Sequence, residues 1–143
     1  MISIMEKIIY LKKVPLFEDL ASEELLAISK MTNEKLIEPN DTIFAEGSQQ
    51  SGLHIIISGK IEISKDNNGC KEVLAQLDSF ECFGELSLFV DIPHTATAKA
   101  LEKAVCLVID REPFLDLVYE QPTVAIGIIK VFCRRLKAAN AKI

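Results

Sequence analysis

Two histidines, four scattered cysteines and the lack of any long apolar run remove whole classes of protein at the outset. A membrane span needs roughly 18–20 consecutive apolar residues, and the stretch from Leu53 to Ile57 stops at Ser58-Gly59. Met1 to Leu11 is apolar but broken by Glu6 and Lys7, with no small-residue cleavage site behind it, so no secretory leader is expected. A metal-dependent jelly-roll enzyme would gather several histidines on one ion; here only His54 and His94 exist, far apart in the chain. Cys70, Cys82, Cys106 and Cys133 form no Cys-x-x-Cys pair, which argues against zinc or iron–sulfur ligation. They are expected to be buried thiols in a reducing, cytoplasmic setting. There is no Gly-x-Ser-x-Gly elbow, and Gly59-Lys60 is followed by Ile61 rather than the hydroxyl residue of a Walker-type phosphate loop. Neither an enzyme nor a resident cofactor is expected.

What is present suits a single domain over residues 1–143. The chain is 49% hydrophobic and 26% charged, long enough to bury a core without disulfides. A net charge of −5 speaks against direct nucleic-acid binding, which depends on neutralising phosphates. Basic residues do collect near the end, at Lys130, Arg134, Arg135, Lys137 and Lys142. They fit cations complementing a helix C-terminus, with a nucleic-acid patch as the alternative.

The order of elements follows from periodicity. Ile4, Ile8 and Leu11 recur at helical spacing, and Pro15 ends that segment. Ser22 is a candidate N-cap for a second helix, so helices should occupy about residues 2–31. From about Glu34 the texture changes to short apolar runs divided by turn residues at Pro39-Asn40-Asp41, Glu46-Gly47, Ser58-Gly59 and Asp66-Asn67-Asn68-Gly69. Ile61 to Ser64 alternates strictly, as a half-buried strand does. Val73 to Leu77, Thr95 to Leu101 and Val105 to Ile109 supply more strands, giving a sandwich, roll or barrel over about 34–110. Asp110 can cap a helix that tolerates Pro113 in its first turn. Pro122 then opens a longer one whose apolar positions, Val124, Ile128, Val131 and Phe132 with Ala125, Ile129 and Leu136, are too many for an exposed helix. That stripe either packs on the roll or meets another chain, and a homodimer through it is the expected assembly in the second case.

The stretch Phe83-Gly84-Glu85-Leu86-Ser87-Leu88, followed by Asp91 to Thr97, carries the chemistry. A glycine before a short helical turn lets backbone N–H groups point at an anion. A carboxylate there can accept hydrogen bonds from sugar hydroxyls, and the small residues Thr95-Ala96-Thr97-Ala98 admit a planar ligand closely. Taken alone, the stretch fits a glycine turn with a solvated glutamate better than a binding site.

From end to end the chain resembles the cyclic-nucleotide-binding domain family of catabolite-activator-like proteins and protein-kinase regulatory subunits. The resemblance rests on Val14-Pro15-Leu16-Phe17, on Glu46-Gly47 with Leu53 to Gly59, and on Phe83 to Leu88 as a phosphate-binding cassette. It implies a mainly β fold, a double-stranded, jelly-roll-like β-roll with flanking N- and C-terminal helices. It implies that Gly84 and its neighbours Leu86 and Ser87 meet a cyclic phosphate, that Glu85 holds the ribose 2′-hydroxyl, and that Thr95 and Ala96 line the phosphate and base side. A threonine such as Thr95 occurs in members that accept cGMP. Val73, Leu74 and Leu86 would be wall residues, and the helix from Thr123 a lid or dimer helix. The family's signature phosphate arginine falls at His94, which offers no permanent charge. The expected function is therefore a regulatory sensor with weakened or lost cAMP and cGMP binding, coupled to its last helix or to a fused output domain. The alternative is a ligand-free interaction or oligomerisation module of the same fold.

Overall fold

A computed structural model describes residues 1–49 and 51–140. Two antiparallel four-stranded sheets face each other, built from β1 (Thr32–Ile37), β2 (Thr42–Phe44), β3 (Leu53–Ser58), β4 (Ile61–Asn67), β5 (Cys70–Leu77), β6 (Cys82–Phe83), β7 (Thr97–Ala100) and β8 (Ala104–Ile109). One sheet runs β1-β8-β3-β6 and the other β2-β7-β4-β5. Helices α1 (Ile4–Lys12) and α2 (Ser22–Met31) precede the roll; α3 (Arg111–Glu120) and α4 (Thr123–Ala139) follow it. This is the β-roll with helices at both ends that the family resemblance implied. Among the described residues no helix is long and apolar enough to cross a membrane.

Strand β8 shows why part of the sequence lacks alternation. It lies between β1 and β3, with Ile109 opposite both Thr32 and Leu53. Leu107 and Ile109 join Leu53 and Ile55 in a core shared with the helices. Ala104 and Cys106 face the other way, into the roll with Ile56, Ile61 and Phe83. Both faces are covered, so the strand is apolar throughout.

Helix α4 is held by its apolar seam. Val124, Ile128 and Val131 are buried, and burying each contributes about 1.5–3 kcal/mol. Gly127 lets the helix approach the segment after the 3-10 turn Pro15–Phe17; a Cβ there would lie 2.6 Å from Leu20 Cδ2. Polar contacts mark both ends of this seam. Thr123 Oγ1 donates to Glu24 Oε2 at 2.6 Å, and Arg134 Nη2 donates to Glu18 Oε1 and Asp19 Oδ2 at 2.8 and 2.9 Å. The Arg134 pairs are exposed and screened by solvent, so the apolar seam dominates.

Several expectations need correction. The stripe Val124, Ile128, Val131 packs on its own roll, with Phe132 half-buried against Phe89, and so is no intermolecular face. The side chains α4 leaves exposed are Ile126, Ile129 and Leu136. Ala21, not Ser22, is the N-cap of α2, because the Glu24 carboxylate reaches back to the Ala21 N–H at 2.8 Å. Asp110 does occupy the N-cap of α3, but its side chain makes no capping bond. The strand expected over Thr95 to Leu101 shortens to Thr97–Ala100. Of the cysteines only Cys106 is fully buried and Cys82 partly so; Cys70 sits at the exposed β4–β5 hairpin and Cys133 on the outer face of α4. Arg134 and Arg135 pair with acids on other elements instead of serving the helix end, and Lys142 lies outside the described residues.

Two glycines at positive φ separate backbone strain from backbone collision. Gly47 (φ +83) has open space where a Cβ would go, whereas at Gly59 (φ +98) it would meet Lys103 O at 2.6 Å and Ala104 Cα at 2.7 Å. Gly47→Ala should destabilise by about 1–2 kcal/mol, the left-handed penalty alone. Gly59→Ala should cost clearly more, read as the shift in urea midpoint; equal midpoints for the two variants would refute the close approach.

Candidate functional site

The site is assembled where β6 turns into a short helix at the mouth of the roll. β6 pairs with β3 through His54↔Phe83, and Gly84 then adopts φ +79, ψ 24, a left-handed conformation glycine enters without penalty. Its Cβ, if present, would lie 2.8 Å from Gly52 O. A 3-10 turn, Glu85–Leu88, follows; it buries Ser87 and Leu88 and leaves Leu86 half-exposed. Leu88 enters the helix-side core, which pins the turn from below.

Beside the turn lies a cavity of about 250 Å³. Gly84, Glu85, Leu86, Ser87, His94, Thr95 and Ala96 all line it, although the two segments are separated in the chain. The rest of the wall is apolar: Phe44, Ile63, Leu77, Phe83, Ile92 and Pro93, with the Cys82 thiol. Sequence reasoning did not reach Phe44, Ile63 and Leu77, which come from the opposite sheet. Val73 and Leu74, expected as wall residues, are exposed on β5, the edge strand of its sheet, and take no part.

His94 is fixed on three sides. Its backbone exchanges hydrogen bonds with the 47–48 turn, Gly47 N–H donating to His94 O at 2.8 Å and His94 N–H to Ser48 O at 2.9 Å. Its ring stacks on Phe44 with centroids 3.5 Å apart and planes 3° apart, and Nε2 lies 3.0 Å from Ser51 Oγ. Burial lowers its pKa from the usual histidine value, so the ring is neutral at neutral pH. His54 stacks on Phe83 in the same ring cluster. There burial first, and Lys35 second, push the imidazole down to about 4 against an opposing bond to the Gly52 backbone. The fold thus brings the two histidines into one ring cluster, yet no group of potential metal ligands exists among the described residues.

Glu85 is engaged from the far side by α4. Its Oε1 accepts a hydrogen bond from Arg135 Nη1 at 3.3 Å and a weaker one from Cys82 Sγ at 3.7 Å. Burial, then the Glu85 charge, drives the Cys82 thiol well above its ordinary range, so it stays protonated. A signal for Arg135 was available in the sequence. Val124, Ile128 and Val131 step by helical intervals, and the next interval falls on Arg135, a charge aimed along the packed face.

The comparisons with known proteins agree with this geometry. A family model described as the cyclic nucleotide-binding domain matches residues 34–121, more than half of the chain. The cyclic AMP receptor protein of Thermus thermophilus is 32% identical over 93% of this chain and 62% of its own length. A cAMP-dependent protein kinase regulatory subunit of Debaryomyces hansenii is 31% identical over 76% of this chain and 23% of its own length. Among solved structures, the N-terminal domain of a transcriptional regulator from Streptomyces coelicolor superposes with a TM-score of 0.83 at 29% identity, covering 92% of this chain and 95% of that one. The Thermus thermophilus catabolite activator protein gives 0.77 at 33% identity, covering 90% of this chain and 61% of that one. The chain therefore spans about six-tenths of the bacterial receptor it matches. With the family model, the fold and the glycine-led turn beside a cavity in agreement, the chain belongs to the cyclic nucleotide-binding domain family.

Proposed function

We propose that this chain is a regulatory module whose cavity is its input and α4 its output, and that it holds cAMP and cGMP weakly at neutral pH. The observation that carries the reading is the contact of Arg135 with Glu85, because one carboxylate faces both the cavity and the last helix. In the family's mode of binding, Glu85 would accept a ribose hydroxyl and Thr95 and Ala96 would lie along the ligand. A ribose and Arg135 would then compete for Glu85. Ligand occupancy can bias the helix only through such a difference between the two states.

The magnitudes limit the motion. Both partners of the ion pair are partly exposed, 45% for Arg135 and 30% for Glu85, so its contribution is at most about 1 kcal/mol. The buried seam upstream is several times stronger. Occupancy should therefore free the turns after Val131 while the start of α4 stays docked. An output domain, or a second copy meeting Ile126, Ile129 and Leu136, would sense that change. The names of the relatives, a receptor for cyclic AMP and kinase regulatory subunits, support a binding role over catalysis.

His94 is what weakens the nucleotide. At the family's arginine position it gives a cyclic phosphate a neutral ring, and loss of a buried charge partner costs about 2–5 kcal/mol. Calorimetric titration should show weak cAMP and cGMP binding at neutral pH, strengthened by His94→Arg by about 30-fold or more. In the wild type a phosphate would favour the imidazolium, so affinity should rise as pH falls towards the His94 pKa, which burial holds below the usual histidine value. Tight wild-type binding at neutral pH would contradict this. No gain in the arginine variant would favour the ligand-free interaction module.

Arg135→Gln removes the latch while keeping the helix seam. Hydrogen exchange should quicken in residues 132–139 and stay unchanged over 124–131. Faster exchange along the whole helix would place the anchor of α4 at Arg135 and refute the division.

A further inference from the structure

The charge of the cavity wall differs from what a phosphate ester requires. Among the described lining residues, Glu85 carries the one formal charge, and no lysine or arginine belongs to the wall. The nearest cation in contact, Arg135, is already spent on that carboxylate. A phosphate entering here would lose its water, meet no opposite charge and lie beside a carboxylate, so its desolvation is uncompensated.

The rest of the wall suits a ring. Phe44 and His94 stack face to face at 3.5 Å, and Phe83 leans on Phe44 at 5.7 Å with a 45° tilt. Ile63 and Leu77 add aliphatic surface from the other sheet. The polar side-chain groups are few: the Glu85 carboxylate, the Cys82 thiol, the His94 ring, and the hydroxyls of Ser87 and Thr95, which make no hydrogen bond within the described residues. A mostly apolar concavity with a few convergent polar groups is the usual build of a small-molecule site.

We propose that the cavity prefers an uncharged, hydroxyl-bearing ring compound, its hydroxyl on Glu85 and its ring beside Phe44, Phe83 and Ile63, over any phosphorylated relative of that compound. This deepens the reading of the cavity as the module's input and rests on it. The ring packs beside the aromatic side chains, and the hydroxyl donates to the carboxylate in place of Arg135, whose half-exposed guanidinium turns to solvent.

Adenosine and cyclic AMP form a matched pair of probes, since they share base and ribose 2′-hydroxyl and differ in the phosphate. Calorimetry at neutral pH on the whole chain should show adenosine bound at least about tenfold more tightly than cyclic AMP, a difference of about 1.4 kcal/mol. Adenosine affinity should be flat with salt and with pH down to about 6. Glu85→Gln should weaken it, and His94→Arg should reverse the order of the two probes. Cyclic AMP bound more tightly than adenosine by the wild type would overturn the preference and leave the input–output reading standing. Binding of neither probe by wild type and by His94→Arg alike would overturn both.

Discussion

Three backbone segments pass so closely at the mouth of the roll that no side chain fits between them. The end of β8 lies against Gly52, where a Cβ would sit 2.5 Å from Ile109 O, and Gly52 lies against Gly84 at 2.8 Å on the same measure. Both glycines have positive φ, so each position is closed to other residues by sterics and by backbone preference together. This seam fixes where β3 begins, where β6 ends and which way the Glu85–Leu88 turn points. Glu85 reaches the cavity, and Leu88 reaches the core, because the turn leaves the seam in that direction. The site is a consequence of close backbone packing at a few glycines.

On that scaffold the electrostatics are sparse. One carboxylate is shared between the cavity and α4, one thiol is kept protonated beside it, and two imidazoles are held neutral by burial within a cluster of phenylalanine rings. The pair that links the cavity to the helix is weak because it is partly wet, and weakness suits a contact that must be exchanged for a ligand. The strong interactions, Val124, Ile128 and Val131 in the helix-side core, keep α4 in place through the exchange. On the proposed reading, the fold is stable where it must persist and labile at the contact that would report occupancy.

Much of this was legible in the sequence, for reasons that differ by element. The hairpin glycines and the 83–88 stretch announce themselves because positive φ and an anion-facing turn restrict residue choice locally. The seven expected site residues, all of which line the cavity, fall in two short segments, each readable from its own motif. Phe44, Ile63 and Leu77 were not legible, since they reach the cavity only through the pairing of β7 with β2 and β4, a long-range fact. Val73 and Leu74 misled because an edge strand can carry large apolar side chains on its exposed side. Ser22 misled because a glutamate two places on, reaching back to the Ala21 N–H, does the capping from inside the helix. Arg135 was readable by helical spacing, but its partner was not.

His94 stands uncharged where a phosphate-binding site wants a cation. Nuclear magnetic resonance of the two imidazoles through a pH titration measures this directly, because His54 and His94 are the only histidines of the chain. His54 should titrate near 4 and His94 also below the usual value of about 6.5, so that neither is protonated at neutral pH. A His94 midpoint at or above 7 would mean the cavity carries a cation under ordinary conditions, and the claim of a site remade for an uncharged ligand would fall.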